Sequence, residues 1–182
     1  MRMNLRGAAL VAALATPILA QAEALPKRET PIPPTTKGVP HKQFSGEAVP
    51  AIHAELMRRV ALLPKVDIRP TVVSLPGATG FWLKEDLALE RPEVIVGGRE
   101  FAHVHPDGSL HASLPPARAF EAVDAGWAVR HPWADKRPGW EGFVLLYTPE
   151  TEAELEIVTQ LIVDGYNFIT GGDVTAEQLR GG

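Results

Sequence analysis

The sequence predicts an α+β fold, with an antiparallel sheet of about four to six strands and two or three helices packed on one face. Short β-branched or alternating segments occur as hairpins or singly, without the regular alternation with helices that a parallel sheet requires. Residues 50–63 and 150–170 have the apolar spacing of amphipathic helices, and Pro115-Pro116 starts a shorter helix. The chain contains no cysteine, so the fold uses no disulfide framework.

Composition and charge restrict the function classes. The 182 residues include 18 basic and 22 acidic side chains, a formal net charge of −4. Nucleic-acid-binding domains usually carry a strongly basic face, so this balance argues against a nucleic acid as partner. The absence of cysteine excludes a thiolate nucleophile, an iron–sulfur cluster and a cysteine-ligated zinc. A small-molecule substrate or ligand is the expected partner.

Two segments are predicted to precede the folded domain. Residues 1–22 combine two arginines, an apolar run of small residues and an Ala-Gln-Ala site, which is typical of a secretory signal cleaved after Ala22. The apolar run is too short to cross a bilayer, so no stable membrane span is expected after cleavage. We therefore expect a periplasmic or secreted protein, with a proline-rich extended arm at 23–47 and the α+β domain at 48–182.

The elements of the domain follow in order. A helix over 50–63 begins with proline, and short strands follow at 68–75 and 80–83. After a hairpin, a helix from Pro115 to Gly126 is predicted to carry Phe120 and Val123 inward. Residues 127–132 are extended and 143–147 form a central strand. The last helix has acidic residues in its first turns and a buried stripe of Leu155, Val158, Ile162 and Ile169.

Residues 99–114 predict a β-hairpin that bends at Pro106-Asp107-Gly108. A type I turn closed by a left-handed glycine gives a three-residue loop, and in that register His103 pairs with His111. A two-residue loop would instead send His111 to the opposite face. In the first register one face presents Phe101, His103, His105, Ser109, His111 and Ser113.

The hairpin histidines and His131 are the main candidate catalytic residues. Alternating histidines on one strand, with a third on its neighbour, can coordinate zinc, iron or copper, so His103, His105 and His111 are the candidate metal ligands. The same pattern also suits a metal-free catalytic or binding cluster, or a polar sheet face that binds nothing. Arg130, beside His131, is a further candidate that could orient an anionic oxygen.

Other residues near these motifs are weaker candidates. Glu100 is expected to face away from His103 in a regular strand and to form a surface ion pair. A hydrolase with His131 as base and Ser109 or Ser113 as nucleophile ranks last, because the chain has no nucleophile-elbow motif. The candidate substrate contacts are Arg99, Ser109, Trp127 and Tyr147.

Several motifs in one order resemble the luciferase-like domain of the fungal bioluminescence luciferases and their bacterial relatives, over about residues 92–170. They are Arg99-Glu100-Phe101-Ala102-His103-Val104-His105, Ser109-Leu110-His111, Gly126-Trp127-Ala128-Val129-Arg130-His131-Pro132 and Tyr147-Thr148-Pro149. The fungal enzymes add molecular oxygen to 3-hydroxyhispidin, with loss of carbon dioxide and without an organic cofactor. The resemblance implies that the four histidines are active-site residues, with Arg130 beside them. It transfers neither light emission nor the substrate, because the N-terminal segment and the hairpin loop differ from those of the fungal members.

The predicted function is an exported, luciferase-like oxygenase of a small enolic or aromatic compound, with molecular oxygen as co-substrate. Catalysis would be cofactor-free or assisted by a divalent metal. One imidazole would act as general base, while Arg130 and a second, protonated histidine would stabilise the enolate. The alternative is a non-catalytic metal- or small-ligand-binding module that uses the same histidines. Both interpretations require the imidazoles to share one cavity.

Overall fold

The computed structural model describes residues 24–181, and the predicted signal sequence lies outside these residues. Within them, a six-stranded antiparallel sheet and three α-helices confirm the predicted α+β class. The strands are β1 (Val66–Pro70), β2 (Thr79–Leu83), β3 (Glu100–Val104), β4 (Leu110–Ser113), β5 (Ala128–Arg130) and β6 (Phe143–Leu146). The helices are α1 (Pro50–Ala61), α2 (Pro116–Asp124) and α3 (Glu152–Thr170). The strand order is β1-β2-β3-β4-β6-β5.

One face of the sheet forms the apolar core with the helices. Alternate residues of β3 and β4, among them Val104 and Leu110, are fully buried on this face, which packs against α3. Thr151 caps α3 by accepting a hydrogen bond from the backbone N–H of Glu154, and Gly171 ends the helix in the left-handed conformation. The buried stripe of α3 includes the predicted Leu155, Val158, Ile162 and Ile169.

The orientation of α2 differs from the prediction. Phe120 is 48% exposed, and the residues that face inward are Ala119 and Ala122. Small side chains three positions apart let α2 approach the core and β5 closely, so the large ring remains outside. The guanidinium of Arg130 lies over the Phe120 ring, 5.2 Å from its centre. Val123 packs partly buried against the core, as expected.

The proline-rich arm, described here from residue 24, is extended but packs against the domain. Arg28 is buried beside Glu154 of α3, with 3.3 Å between Nη2 and Oε2. His41 and Gln43 are also buried. Part of the arm therefore belongs to the folded unit, and residues 39–41 cover the second face of the sheet. No helix within 24–181 has both the length and the apolar composition needed to cross a bilayer.

Candidate functional site

The hairpin of β3 and β4 has the register predicted with the three-residue loop. His103 pairs with His111, and the backbone N–H of His105 donates to the Ser109 carbonyl at 2.8 Å. Gly108 has a φ of +87°, the left-handed conformation that this turn requires. The three hairpin histidines consequently lie on one face of the sheet, opposite the helices.

A β-bulge at the start of β3 changes the positions of two neighbouring side chains. Phe81 pairs with Ala102 whereas Trp82 pairs with Glu100, so Phe101 is the extra residue. The extra residue inverts the alternation before it. The predictions for Glu100 and Phe101 were therefore wrong: Glu100 is buried on the histidine face, and Phe101 packs in the core against Tyr166.

Five imidazole rings line one small cavity on this face. The hairpin histidines meet His131, which follows β5, and His41 from the arm. Each of the five residues is at most 6% exposed. The cavity has a volume of about 170 Å³, and a cavity of about 150 Å³ holds one benzene-sized ring. The remaining wall is largely apolar and includes Val39, Val73, Leu75, Val96, Trp133 and Phe143.

Three of the rings form a chain of contacts that starts at Glu100. Its Oε1 lies 3.0 Å from Nδ1 of His103, and Nε2 of His103 lies 2.9 Å from Nδ1 of His111. Nε2 of His111 lies 3.3 Å from Nδ1 of His41. The carboxylate of Glu100 also accepts hydrogen bonds from the Thr71 hydroxyl and the Val72 backbone N–H. Glu100 is thus fixed as an acceptor for His103.

The contacts of His105 determine which of its nitrogens carries the hydrogen. The backbone N–H and the hydroxyl of Ser109 both donate to Asp107, so the hydroxyl oxygen is free to accept a hydrogen bond. Nδ1 of His105 lies 3.0 Å from that oxygen and donates to it. Nε2 of His105 then has a lone pair, and it is buried without a hydrogen-bond partner among the described residues.

In His131 the donor and acceptor nitrogens are exchanged relative to those of His105. Its Nδ1 accepts a hydrogen bond from the backbone N–H of Trp133 at 3.0 Å. In a neutral imidazole the other nitrogen must carry the hydrogen. His131 therefore offers an N–H donor at Nε2, whereas His105 offers an acceptor.

Burial keeps most of these rings neutral. Loss of solvation lowers the pKa of His41 to about 4. Burial, together with the neighbouring histidines, lowers the pKa of His105 to about 4 and that of His131 to about 3. The pKa of His111 is lowered well below its ordinary value for the same reasons. Burial alone would raise the pKa of Glu100, but hydrogen bonds from His103, Thr71 and Val72 outweigh it and lower that pKa.

The structure places Arg130 outside the cavity. Arg130 pairs with Val144 of β6 and lies on the helix side of the sheet, because adjacent residues of a strand face opposite ways. Its guanidinium forms a paired contact with the Asp135 carboxylate, at 2.6 and 3.1 Å. The prediction that Arg130 orients an anionic oxygen is therefore corrected: in this structure its guanidinium does not reach a ligand in the cavity.

The four predicted substrate contacts also lie outside the cavity lining. Arg99 donates to the backbone carbonyls of Leu83, Lys84 and Leu87 and so anchors a loop. The rings of Trp127 and Tyr147 lie against the guanidinium of Arg28. Ser109 is fully buried behind His105 and acts on that ring rather than on a ligand.

His41 and Glu100 are the site residues that sequence reasoning missed. His41 stands alone in a proline-rich segment, 62 positions before His103, and no local spacing connects it with the hairpin. Glu100 lies within the histidine motif of the sequence, but a regular alternation of side chains along the strand assigns it to the wrong face. The bulge at Phe101 reverses this assignment, and the alternating pattern of the strand does not predict it.

Part of the chain matches a known protein family. A sequence model described as the luciferase domain matches residues 98–163, which include the hairpin, His131 and most of α3. No curated protein and no solved structure matches the chain. The matched segment contains four of the five cavity histidines, while His41 precedes it.

Proposed function

Since residues 98–163 match a luciferase-domain model, we propose that the protein is an exported enzyme that oxygenates a small enolic or aromatic compound. One observation carries the proposal: five buried imidazoles converge on a cavity of about 170 Å³ whose other walls are largely apolar. The volume suits a compound with a single ring. Apolar walls exclude water from a reactive anion and admit molecular oxygen.

The substrate's hydroxyl group would lie among the imidazoles. Nε2–H of His131 is a donor, with its tautomer fixed by Trp133, and can hold the oxygen that becomes negative. A neutral imidazole of the cluster has a lone pair that can accept the hydroxyl proton. Neutral rings thus take the roles that the sequence prediction gave to a protonated histidine and Arg130.

The proposed reaction balances with molecular oxygen as the oxidant. Loss of the hydroxyl proton to an imidazole leaves an enolate or phenolate. Its electron pair forms a bond from a ring carbon to one oxygen atom of O₂, and the O₂ unit is reduced to a bound peroxide. The proton held by the imidazole then passes to the terminal peroxide oxygen. Light emission is not part of this proposal.

Oxygen uptake tests the proposed reaction. Protein without residues 1–22 is incubated with a panel of single-ring hydroxypyrones and catechols while dissolved oxygen is measured. We expect uptake with at least one compound, and a decrease of roughly 100-fold in its rate in His131→Ala because a preorganised donor is lost. His53→Ala, on α1 and away from the cluster, should retain the rate. Absence of uptake with every compound would contradict the proposed reaction.

Export is tested separately. The mass of the exported protein should correspond to an N-terminus at Glu23.

A non-catalytic binding module is the second candidate function. The observation that favours it is the buried, unpartnered Nε2 of His105, which is an acceptor prepared for a ligand in the resting protein. Such a module would bind members of the same panel, as measured by calorimetry, and would return them unchanged. Product analysis by mass spectrometry therefore separates the two candidates.

A further inference from the structure

We infer that His103, His105 and His111 bind one divalent first-row transition metal ion, with Glu100, Ser109 and His41 as the outer shell that orients the three rings. Binding itself stands independently of the proposed function, and only the ion's role in oxygenation rests on that function. Imidazole nitrogen suits zinc, copper, iron and nickel in this class.

Each of the three rings turns one nitrogen toward the other two rings, although Nε2 of His103 and Nδ1 of His111 contact each other in the metal-free protein. One nitrogen from each ring lies within 4.8 Å of the others. Nδ1 of His103 and Nδ1 of His105 are engaged with Glu100 and Ser109, which leaves Nε2 of both rings for the ion. Nδ1 of His111 lies 2.9 Å from Nε2 of His103 and donates to it in the metal-free protein, so an ion that binds both atoms must replace this hydrogen. All three residues are buried.

The far side of each ring has a hydrogen-bond acceptor. A histidine that binds a metal through one nitrogen nearly always donates its other N–H to an acceptor, which fixes the ring's orientation and tautomer. His103 donates to Glu100 at 3.0 Å, and His105 donates to Ser109 at 3.0 Å. Nε2 of His111 lies 3.3 Å from Nδ1 of His41, which becomes the third acceptor when the hydrogen of His111 moves to Nε2. No ring has to change position, but the hydrogens of His111 and His41 must each move to the other ring nitrogen when the ion binds.

A second grouping, of His41, His111 and His131, lacks this arrangement. Its nitrogens also lie within 4.8 Å of one another. However, Nδ1 of His131 accepts the Trp133 backbone N–H, so a neutral His131 has its hydrogen on Nε2 and no lone pair for an ion. The Trp133 backbone N–H fixes the tautomer of His131, whereas both nitrogens of His111 contact other imidazoles, which can exchange donor and acceptor roles.

Charge also favours the first triad. Glu100 contacts one ligand directly, and Asp107 reaches a second ligand through the Ser109 hydroxyl. Two carboxylates behind the ligands offset the two positive charges of a divalent ion in a buried site. Such an ion would act as a Lewis acid toward an enolate oxygen in the same cavity. His131 would remain available to hold that oxygen by its N–H.

Titration with Zn²⁺ tests the site without any substrate. Full-length mature protein is purified without an affinity tag, depleted of metal with a chelator, and titrated by calorimetry. We expect one equivalent of Zn²⁺ per chain and a loss of affinity of roughly 100-fold or more in His105→Ala. His131→Ala should bind with an affinity within about threefold of wild type, and His53→Ala is the matched control for removal of a histidine elsewhere. Glu100→Gln, which loses only the charge, should weaken binding by about 10- to 100-fold.

Two measurements keep the test decisive if a variant fails to fold. Co²⁺ titration of the wild-type protein should give one equivalent of visible absorption bands, and Zn²⁺ should remove them. Elemental analysis of the protein as purified gives the metal it acquires in the cell. The inference is overturned if wild-type protein binds neither ion stoichiometrically, or if binding survives in His105→Ala and disappears in His131→Ala. Stoichiometric zinc without oxygen uptake would refute the proposed oxygenase alone, and oxygen uptake by metal-depleted protein would refute a metal requirement alone.

Discussion

The two faces of the sheet differ in composition although the same strands form both. On β3, His103 lies between Ala102 and Val104, and on β4, His111 lies between Leu110 and Ala112. The aliphatic residues pack against α3, whereas the histidines line the cavity under the arm. Because side chains alternate along a strand, one short hairpin can stabilise the fold with one face and carry chemistry on the other.

The faces also differ in what burial costs. Burial of an aliphatic side chain stabilises the fold by about 1.5–3 kcal/mol. Burial of an imidazole is favourable only if its polar atoms find partners, and Nε2 of His105 has none among the described residues. The histidine face is therefore expected to contribute less to stability for its area than the aliphatic face. Retention of polar groups at such cost is typical of sites shaped by function.

Acid should destabilise the protein more than any single substitution, because several rings act together. His41 and His105 have pKa values lowered to about 4, and His131 to about 3, against about 6.5 in the unfolded chain. Below pH 6.5 the unfolded state binds more protons than the folded state, so stability is fully present above that pH and falls as the pH decreases toward 4. The rings face one another and the carboxyl groups of Glu100 and Asp107.

Urea unfolding of metal-depleted protein at a series of pH values measures this effect. The midpoint should be constant from pH 8 to 7 and should decline steadily between pH 6.5 and 4. The His53→Ala variant, which alters a ring outside the cluster, should show the same decline. A midpoint independent of pH across that window would show that the rings are not held neutral by the fold.

Sequence patterns predicted the parts of this site that depend on local rules. The turn at 106–108 and the period of two fixed the register in which His103 opposes His111, and the structure confirms it. The apolar stripe of α3 was equally predictable, because a period of 3.6 places Leu155 and Val158 on one side. These features need only the residues of one or two neighbouring elements.

Features that depend on distant parts of the chain were not predictable in the same way. His41 reaches the cluster because residues 39–41 fold across the sheet, and composition alone favours only an extended arm there. Arg130 was assigned to the site from its position beside His131, yet alternation sends it to the other face. Glu100 was predicted to face away from the histidines, but the bulge at Phe101 places it on the histidine face. One inserted residue was enough to exchange the faces of two side chains.

Leu110→Ala should destabilise the protein from the helix face of the sheet without altering the histidine face. Leu110 is fully buried, and removal of its side chain leaves a cavity, so we expect the free energy of unfolding to fall by about 2–5 kcal/mol. The neighbouring His111 keeps its contacts on the other face, so Zn²⁺ affinity of the folded variant should change less than about threefold. Urea unfolding and zinc calorimetry on the same preparation measure both quantities. A large loss of zinc affinity would show that the faces are coupled.

Arg130→Ala should have the smallest effect, because this side chain faces away from the cavity. Its contacts with Asp135 and the Phe120 ring are partly exposed, and such surface pairs contribute about 0–1 kcal/mol. We expect unchanged zinc affinity and unchanged oxygen uptake, measured beside His131→Ala as the adjacent-residue comparison. A loss of uptake in Arg130→Ala comparable with that in His131→Ala would mean that the guanidinium leaves Asp135 and reaches the cavity when substrate is bound. The alternation of faces would then fail to separate structural from catalytic residues at this end of β5.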